Sequence, residues 1–220
     1  MTVWLFDLDN TLHHADAGIF NIINQAMTAY LAGRLNVAHA VASHVRQDYW
    51  HRYGATMAGL QIHHPEISID EFLRECHPLD AVLPALVPVE GVAETLGRLN
   101  GRKAVLTNGP SFYAQALLEA MGLAEFFGHT VGTDDMGYRC KPDREAFVSA
   151  CRMVGVARAQ ACILVDDSAD NLHAAKKLGM KTVWFGQSAH DLPFVDFAAR
   201  DMAALADWAE ENGLAVPACG

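Results

Sequence analysis

Four stretches of the sequence carry acidic, hydroxyl and ammonium side chains of the kind that act together in catalysis. They are Asp7, Asp9 and Thr11 in an opening D-x-D-x-T pattern, Thr107, Lys141, and the adjacent pair Asp166-Asp167. Carboxylates that share one site repel one another unless a cation lies among them. Oxygen ligands suit a hard cation, and a coordination shell that a phosphate and waters complete suits Mg²⁺. An ammonium or a hydroxyl can hold phosphoryl oxygens. These residue types therefore indicate a site for a hard cation such as Mg²⁺ that could hold a small anionic molecule.

The apolar runs near these residues indicate how the chain brings them together. Four runs lack the alternation of a half-exposed strand and suit strands buried on both faces of a parallel sheet. They are Val3–Leu8, Lys103–Thr107, Ala161–Val165 and Lys181–Phe185. Helical patterns lie between them, at Phe112–Met121, Pro142–Val154 and Ala169–Leu178. Ligands of such sheets bind beyond the carboxyl ends of the strands, so we expect the polar residues to meet at one edge.

Residues 15–88 have a different pattern, with helical periodicity and no strand-like run. An apolar stripe predicts a helix over residues 19–31, and a second helix is predicted over Val37–Leu60. Ser68-Ile69-Asp70-Glu71 is a capping-box pattern that predicts the start of another helix. The predicted fold is an α/β protein with a Rossmann-like parallel sheet core, residues 1–14 and 89–220, and an inserted α-helical cap domain, residues 15–88.

The composition excludes several classes of protein. With 220 residues, 51% of them hydrophobic and 19% charged, the chain is of ordinary globular type. Its formal net charge of −10 argues against polymeric nucleic acid as a partner. No apolar stretch approaches the ~20 residues that span a membrane, and the opening residues lack the basic leader of a signal peptide. Five scattered cysteines form no C-x-x-C pair. We therefore expect a cytoplasmic protein with reduced thiols, a monomer or a homodimer.

The order of the polar stretches matches a known family. The chain resembles the haloacid dehalogenase superfamily, whose four sequence motifs correspond to Asp7/Asp9/Thr11, Thr107, Lys141 and Asp166/Asp167. The helical insertion lies where that superfamily carries its cap, between the first and second motifs. The segments Trp4–Leu12 and Leu106–Gly109 resemble more narrowly the branch that contains pyrimidine 5′-nucleotidases.

The resemblance implies a role for each motif residue. Asp7 and the main-chain carbonyl of Asp9 would bind Mg²⁺, with Asp167 as the main further ligand. Asp166 would be an additional ligand or would contact the residues that bind the ion. Asp7 would attack phosphorus to form an aspartyl-phosphate. Asp9 would protonate the leaving oxygen and then take a proton from the attacking water. Thr107 and Lys141 would hold the phosphoryl oxygens.

The substrate is expected to be a small phosphorylated metabolite, and the narrower resemblance favours a pyrimidine nucleoside 5′-monophosphate. Aromatic rings can stack on a nucleobase, and the insertion carries a cluster of aromatic and basic residues, Tyr49-Trp50-His51-Arg52-Tyr53. An aromatic residue of this cluster could instead pack the interior of the insertion. The candidate substrate-binding residues are Asn108, Thr11, His14, Tyr49, Arg52 and Tyr113.

Other functions stay open. A sugar-phosphate phosphatase or phosphomutase of the same superfamily would share the whole set of motif residues. A 2-haloacid dehalogenase is disfavoured because that branch needs no metal and lacks the second acidic residue of the first motif, here Asp9. A non-catalytic binding protein is disfavoured because all four motifs are complete. The histidines His13-His14, His39, His44 and His63-His64 form no zinc pattern of the H-E-x-x-H type.

Overall fold

A single parallel sheet forms the centre of the molecule in a computed structural model that describes residues 1–187 and 192–216. Its strands are β1 (Val3–Phe6), β2 (Arg102–Leu106), β3 (His129–Val131), β4 (Cys162–Asp166), β5 (Lys181–Phe185) and β6 (Phe197–Ala199). The four predicted strands are confirmed within two residues at either end. Strands β3 and β6 were not predicted, because three residues are too few to show a pattern. Cys219 lies outside the described residues.

The strand order places β1 in the middle of the sheet. The order is β3-β2-β1-β4-β5-β6, and all neighbours are parallel. Phe6 is in register with Val105 on one side and with Val165 on the other. Asp7, Leu106 and Asp166 therefore stand at the same edge of the sheet, because the carboxyl ends of parallel strands coincide. The predicted Rossmann-like α/β core is confirmed.

Helices cover both faces of this sheet, as a sheet buried on two sides requires. They are α6 (Val92–Arg98), α7 (Ser111–Ala120), α8 (Arg144–Met153), α9 (Ala169–Lys177) and α10 (Met202–Glu211). Two apolar clusters form, one on each face, and β1 contributes Trp4 and Phe6 to one and Val3 and Leu5 to the other. The prediction that Pro142 opens helix α8 is wrong. Asp143 is the N-cap, and its side chain accepts a 2.9 Å hydrogen bond from the Glu145 amide.

The helices that lie between β1 and α6 form the helical insertion. Its helices are α1 (Ile19–Leu35), α2 (His39–Tyr53), α3 (Thr56–His63), α4 (Ile69–Cys76) and α5 (Leu79–Val82). The prediction of a single helix over Val37–Leu60 is wrong, because helix α2 ends at Gly54, whose φ of 78° forms a left-handed turn. The Ser68 cap is confirmed by its hydrogen bond from the Glu71 amide.

The insertion has its own apolar interior and touches the core at several places. A separate cluster includes Leu31, Leu60 and Phe72. The two connecting segments run side by side, with the His14 amide 2.8 Å from the Val87 carbonyl oxygen and the Val89 amide 3.0 Å from that of Leu12. None of the helices in the described ranges is both long and apolar enough to cross a bilayer.

Candidate active site

Lys141 lies between two carboxylates at the edge of the sheet. Its ammonium is 2.9 Å from Asp7 Oδ1 and 2.8 Å from Asp166 Oδ2. Lys141 is 2% exposed and Asp166 is fully buried, so water contributes little to the solvation of either charge. Asp7 follows β1 and Asp166 ends β4, which explains why neighbouring parallel strands deliver both to one ammonium.

The Asp166 carboxylate is saturated by groups of the protein. Besides Lys141, its Oδ1 accepts hydrogen bonds from the Ser168 amide at 2.9 Å and from Asn171 Nδ2 at 3.0 Å. Asn171 Nδ2 also lies 3.1 Å from Oδ2. These bonds make Asp166 the residue that holds Lys141 in place and leave it little capacity for a metal. Sequence analysis missed Asn171, although its place one turn into a helix that Ser168 caps could have indicated it.

The side chain of Asn108 fixes Lys141 from the other side. Asn108 Oδ1 accepts a 2.7 Å hydrogen bond from the Lys141 amide, and Asn108 Nδ2 donates a 2.9 Å bond to the Lys141 carbonyl oxygen. Both polar ends of the amide thus bind the main chain. These two bonds orient the lysine, and because Asn108 is itself exposed, its expected contact with the substrate stays a prediction.

Charge is strongly perturbed in this site. Burial raises the pKa of the Asp7 carboxyl well above its usual range against the opposing charge of Lys141, and Asp166 and Asp9 raise it further. Burial, aided by Asp166, also raises the pKa of Asp167 to about 6. Burial alone would lower the pKa of Lys141, but Asp166 and Asp7 outweigh it and hold the ammonium protonated. One buried ammonium therefore does not balance the negative charge.

The acidic cluster has the donor set of a hard divalent cation. Carboxylate oxygens of Asp7, Asp166 and Asp167 lie within 4.8 Å of one another. Because Asp166 is occupied by hydrogen bonds, Asp7 and Asp167 offer the carboxylate oxygens that a cation could take. Oxygen donors alone suit Mg²⁺, and a cation there would favour the ionised forms that burial disfavours. The residues present at this site therefore fit a Mg²⁺ ion.

Asp9 is held by two residues that sequence analysis did not connect with it. The Tyr113 hydroxyl donates a 2.6 Å hydrogen bond to Asp9 Oδ1, and His13 Nε2 lies 3.0 Å from the same oxygen. Tyr113 and His13 are fully buried. Tyr113 was expected to contact substrate, but a ring with no exposed surface is not available for stacking. His13 was considered only as one histidine of a zinc pattern, and its burial beside a carboxylate appears only in the folded chain.

Thr107 and Thr11 are both fully buried. The Thr107 hydroxyl accepts a 3.0 Å hydrogen bond from the Gly109 amide, which closes the turn after β2. The Thr11 hydroxyl makes no hydrogen bond with the described residues, so the structure gives no support to its assignment as a substrate contact. His14 is exposed and stands at the start of the turn that precedes α1.

The substrate residues predicted in the insertion make contacts within the insertion. The Tyr49 hydroxyl lies 3.0 Å from His64 Nε2, and its ring stacks on His63 at 5.3 Å between centroids. Gly59 lies so close to the Tyr49 ring that a Cβ there would come within 2.3 Å. Arg52 is paired with Asp48 at 2.8 Å and its side chain is 66% exposed. Tyr49 therefore packs α2 against α3, and the assignment of Tyr49 and Arg52 to the substrate stays a prediction.

The chain has recognisable relatives among characterised sequences. The sequence model of the haloacid dehalogenase-like hydrolase family matches residues 1–179. Phosphoglycolate phosphatase of Agrobacterium fabrum is 29% identical over 211 residues, 91% of this chain and 89% of that protein. Validoxylamine A 7′-phosphate phosphatase of Streptomyces hygroscopicus subsp. limoneus is 33% identical over 118 residues, 51% of this chain and 54% of that protein. The chain spans about half the length of several relatives that it matches, at 54%, 59% and 43%.

Solved structures share the fold. A phosphatase from Thermococcus onnurineus superposes with a TM-score of 0.69 at 20% identity, covering 97% of this chain and 99% of that one. A hydrolase from Deinococcus radiodurans superposes with a TM-score of 0.62 at 24% identity, covering 99% of both chains. Both similarities extend through the insertion as well as the core.

Proposed function

We propose that this chain, which belongs to the haloacid dehalogenase-like hydrolase family, is a Mg²⁺-dependent phosphatase of a small phosphorylated metabolite. The observation that carries the proposal is the buried array of Asp7, Lys141 and Asp166, with Asp167 beside it. It offers a nucleophile, a fixed positive charge and a metal site at the carboxyl edge of the sheet. The names of two relatives, both phosphatases, support the same activity.

In the proposed reaction Asp7 attacks phosphorus and the leaving oxygen departs from the opposite side. Asp9 gives its proton to that oxygen, and its carboxylate then takes a proton from the water that hydrolyses the aspartyl-phosphate. Lys141, the Thr107 hydroxyl and the backbone amides near it hold the phosphoryl oxygens as charge redistributes over them. Asp166, Asn171 and Asn108 keep the Lys141 ammonium in place.

Mg²⁺ is the cofactor that we propose for this site. Asp7, Asp167 and the main-chain carbonyl of Asp9 would hold it, and Asp166 would act through Lys141. When bound, Mg²⁺ supplies positive charge that lets an anionic phosphate approach ionised carboxylates. The chain's own contribution is to bury these carboxylates and to keep both Asp166 oxygens engaged, so that the ligands left for the ion are those next to the reacting phosphate.

The sequence favours a pyrimidine nucleoside 5′-monophosphate as substrate, and this remains the first candidate. It rests on the resemblance of the first two motifs to the 5′-nucleotidase branch and on the aromatic cluster of α2. Trp50, at 57% exposure, is more exposed than the two tyrosines of that cluster, which are partly buried. Tyr49 and Tyr53 are engaged with His64 and His63, so base stacking by those two rings would require them to leave existing partners.

A second candidate is a phosphorylated carboxylic acid, and one residue favours it. Residues 15–88 contain arginines at 34, 46, 52 and 74 and no lysine. Arg34, Arg52 and Arg74 each pair with a carboxylate. Arg46 instead donates from Nη1 to Asn24 Oδ1 at 2.7 Å and from Nε to Thr28 Oγ1 at 3.3 Å. Burial lowers the pKa of this guanidinium, and an anionic group would offset that cost.

Contacts of α3 connect the main chain of Arg46 with the core next to Lys141. The Arg46 carbonyl oxygen accepts a 3.1 Å hydrogen bond from Thr56. The neighbouring Met57 contacts Thr133 of the core, whose hydroxyl lies 3.6 Å from Cys140 Sγ, next to Lys141. The name of the Agrobacterium fabrum relative, a phosphoglycolate phosphatase, is consistent with a substrate that carries a carboxylate.

A phosphate-release screen decides between the candidates. Uridine and cytidine 5′-monophosphates, 2-phosphoglycolate, sugar phosphates and p-nitrophenyl phosphate are compared at equal Mg²⁺. Arg46→Gln should lower kcat/KM tenfold or more for a phosphorylated acid, about 1.4 kcal/mol, and leave p-nitrophenyl phosphate within threefold. Arg34→Gln, which breaks an exposed ion pair with Glu71, is the matched control. Release of phosphate from none of these compounds would refute the phosphatase assignment.

A further inference from the structure

The immediate surroundings of Asp9 are asymmetric. Oδ1 receives the Tyr113 hydroxyl at 2.6 Å and His13 Nε2 at 3.0 Å. No hydrogen bond to Oδ2 occurs among residues 1–187 and 192–216. Asp9 itself keeps 18% of its side chain exposed, whereas His13 has none exposed. One carboxylate oxygen is thus anchored inside the protein and the other is free to face a substrate.

The chemistry of the two partners makes both of them donors. The Tyr113 hydroxyl donates its proton to Asp9 Oδ1 across 2.6 Å, because a hydroxyl that bonds to an unprotonated carboxyl oxygen can only be the donor. His13 Nδ1 is buried without a partner among the described residues. A proton on Nδ1 would lack an acceptor there, whereas a proton on Nε2 completes the bond to Asp9. Two donors on Oδ1 leave Oδ2 as the oxygen that carries the carboxyl proton.

We propose that Tyr113 and His13 are positioning residues, which hold Asp9 so that Oδ2 delivers its proton to the leaving-group oxygen. The inference rests on the proposed function. As the Asp7 oxygen bonds to phosphorus and the bond to the leaving oxygen breaks, the Oδ2 proton passes to that oxygen and an alcohol departs. The Asp9 carboxylate then takes a proton from the water that attacks the aspartyl-phosphate, which releases phosphate and restores Asp7.

The clamp formed by Tyr113 and His13 is itself supported by the helical insertion. The His77 ring, at the end of α4, packs on the Tyr113 ring at 5.2 Å between centroids. His77 Nδ1 donates a 2.8 Å hydrogen bond to the Leu73 carbonyl oxygen, which fixes that ring. Tyr113 thus joins the core helix α7, the insertion and the acid that we assign to the reaction. It links residues that are 104 positions apart in the sequence.

Substrates with different leaving groups test this proposal. An alkoxide departs poorly without a proton, whereas p-nitrophenolate departs readily, so only the first needs a well-placed acid. Values of kcat/KM are compared because they include the step in which the leaving group departs. Tyr113→Phe removes one hydroxyl and keeps the ring. We expect it to lower kcat/KM tenfold or more for uridine 5′-monophosphate or 2-phosphoglycolate, whichever the wild type prefers, and less than threefold for p-nitrophenyl phosphate. His13→Leu should show the same selectivity.

Two comparisons separate positioning from a structural role. Tyr30→Phe makes the same chemical change in the insertion, where the hydroxyl is buried without a partner among the described residues. Its kcat/KM should be unchanged for both substrates. In an Asp9→Asn background, Tyr113→Phe should lose its selective effect, since the acid is already absent. Equal losses on both substrates, or no loss on either, would overturn the proposal. A wild type that hydrolyses none of the compounds in the phosphate-release screen would refute the proposed function itself.

Discussion

The sheet edge and the helical insertion use their polar residues in opposite ways. At the edge, Lys141, Asp166, Asn108 and Asn171 bind one another around Asp7, and nearly all are buried. In the insertion, polar and aromatic groups such as Tyr49 mainly join one helix to the next. A site preorganised by mutual hydrogen bonds needs little reorganisation when charge moves. The difference supports the proposal that the chemistry takes place at the sheet edge, and it leaves the surface of the insertion as the region proposed to select a substrate.

Removing the proposed nucleophile should produce the largest difference between the two regions. Asp7→Asn preserves size and shape but removes the attacking oxygen, so we expect turnover to fall by at least ~10³-fold. Asp170→Asn, an exposed substitution on the neighbouring helix α9, is the control and should stay within about twofold. Phosphate release by purified variants measures both. Activity of Asp7→Asn within tenfold of wild type would show that the edge is not the reaction centre.

Removal of the metal should abolish catalysis at the sheet edge and leave the helical insertion folded. EDTA is expected to abolish phosphate release and Mg²⁺ to restore it, because the carboxylates and an anionic phosphate repel one another without a cation. Ca²⁺ should bind but support turnover poorly, since its looser and larger coordination shell misplaces the phosphoryl group. Circular dichroism checks that the helices persist. Full activity in metal-free buffer would exclude the proposed metal site.

Asn171→Ala tests whether support of Asp166 matters as much as the motif residues. Asp166 would lose the bonds from Nδ2 at 3.0 and 3.1 Å while it stays buried, a loss of about 1.5–3 kcal/mol for a charged acceptor. Lys141 would then be held less firmly, and we expect activity to fall about tenfold or more. Urea unfolding and phosphate-release kinetics measure the two effects. A stability loss with unchanged kinetics would make Asn171 a purely structural residue.

Tyr49→Ala should behave as an interior substitution of the insertion. It removes the hydrogen bond to His64 and the stacking on His63, and we expect about 1–3 kcal/mol lower stability. Activity toward the best substrate and toward p-nitrophenyl phosphate should fall together, in step with the loss of folded protein. A selective tenfold loss on a nucleotide at unchanged melting temperature would instead restore Tyr49 as a base-stacking residue.

The smallest effect is expected at the start of α4. Ser68→Ala removes the side-chain oxygen that accepts the Glu71 amide hydrogen bond, which should cost about 1 kcal/mol of stability. Ser68→Asp, which can accept the same bond, should restore most of it. Thermal unfolding measures both variants, and kcat/KM should be unchanged for every substrate. A change in kcat/KM would mean that α4, which precedes His77, transmits its position to the Asp9 clamp.

The sequence alone determined the residues that follow the strands and the architecture that unites them. Continuous apolar runs before Asp7, Thr107 and Asp166 required strands covered on both faces, and parallel strands must present their carboxyl ends together. The motif residues were predicted for this reason. The short strands β3 and β6 and the break at Gly54 were missed because three residues show no period and because one glycine suffices to end a helix.

Only the tertiary structure decided which polar groups bind one another. Asn171 and Asn108 hold Asp166 and Lys141, and Tyr113 and His13 hold Asp9, through contacts that depend on packing between helices and strand ends. Spacing in the chain carries no trace of the Tyr113–Asp9 pair, which 104 residues separate. For the buried Asp166, Lys141, Tyr113 and His13, burial then sets the chemistry, because a polar group without water must bond to whatever side chain the fold places beside it.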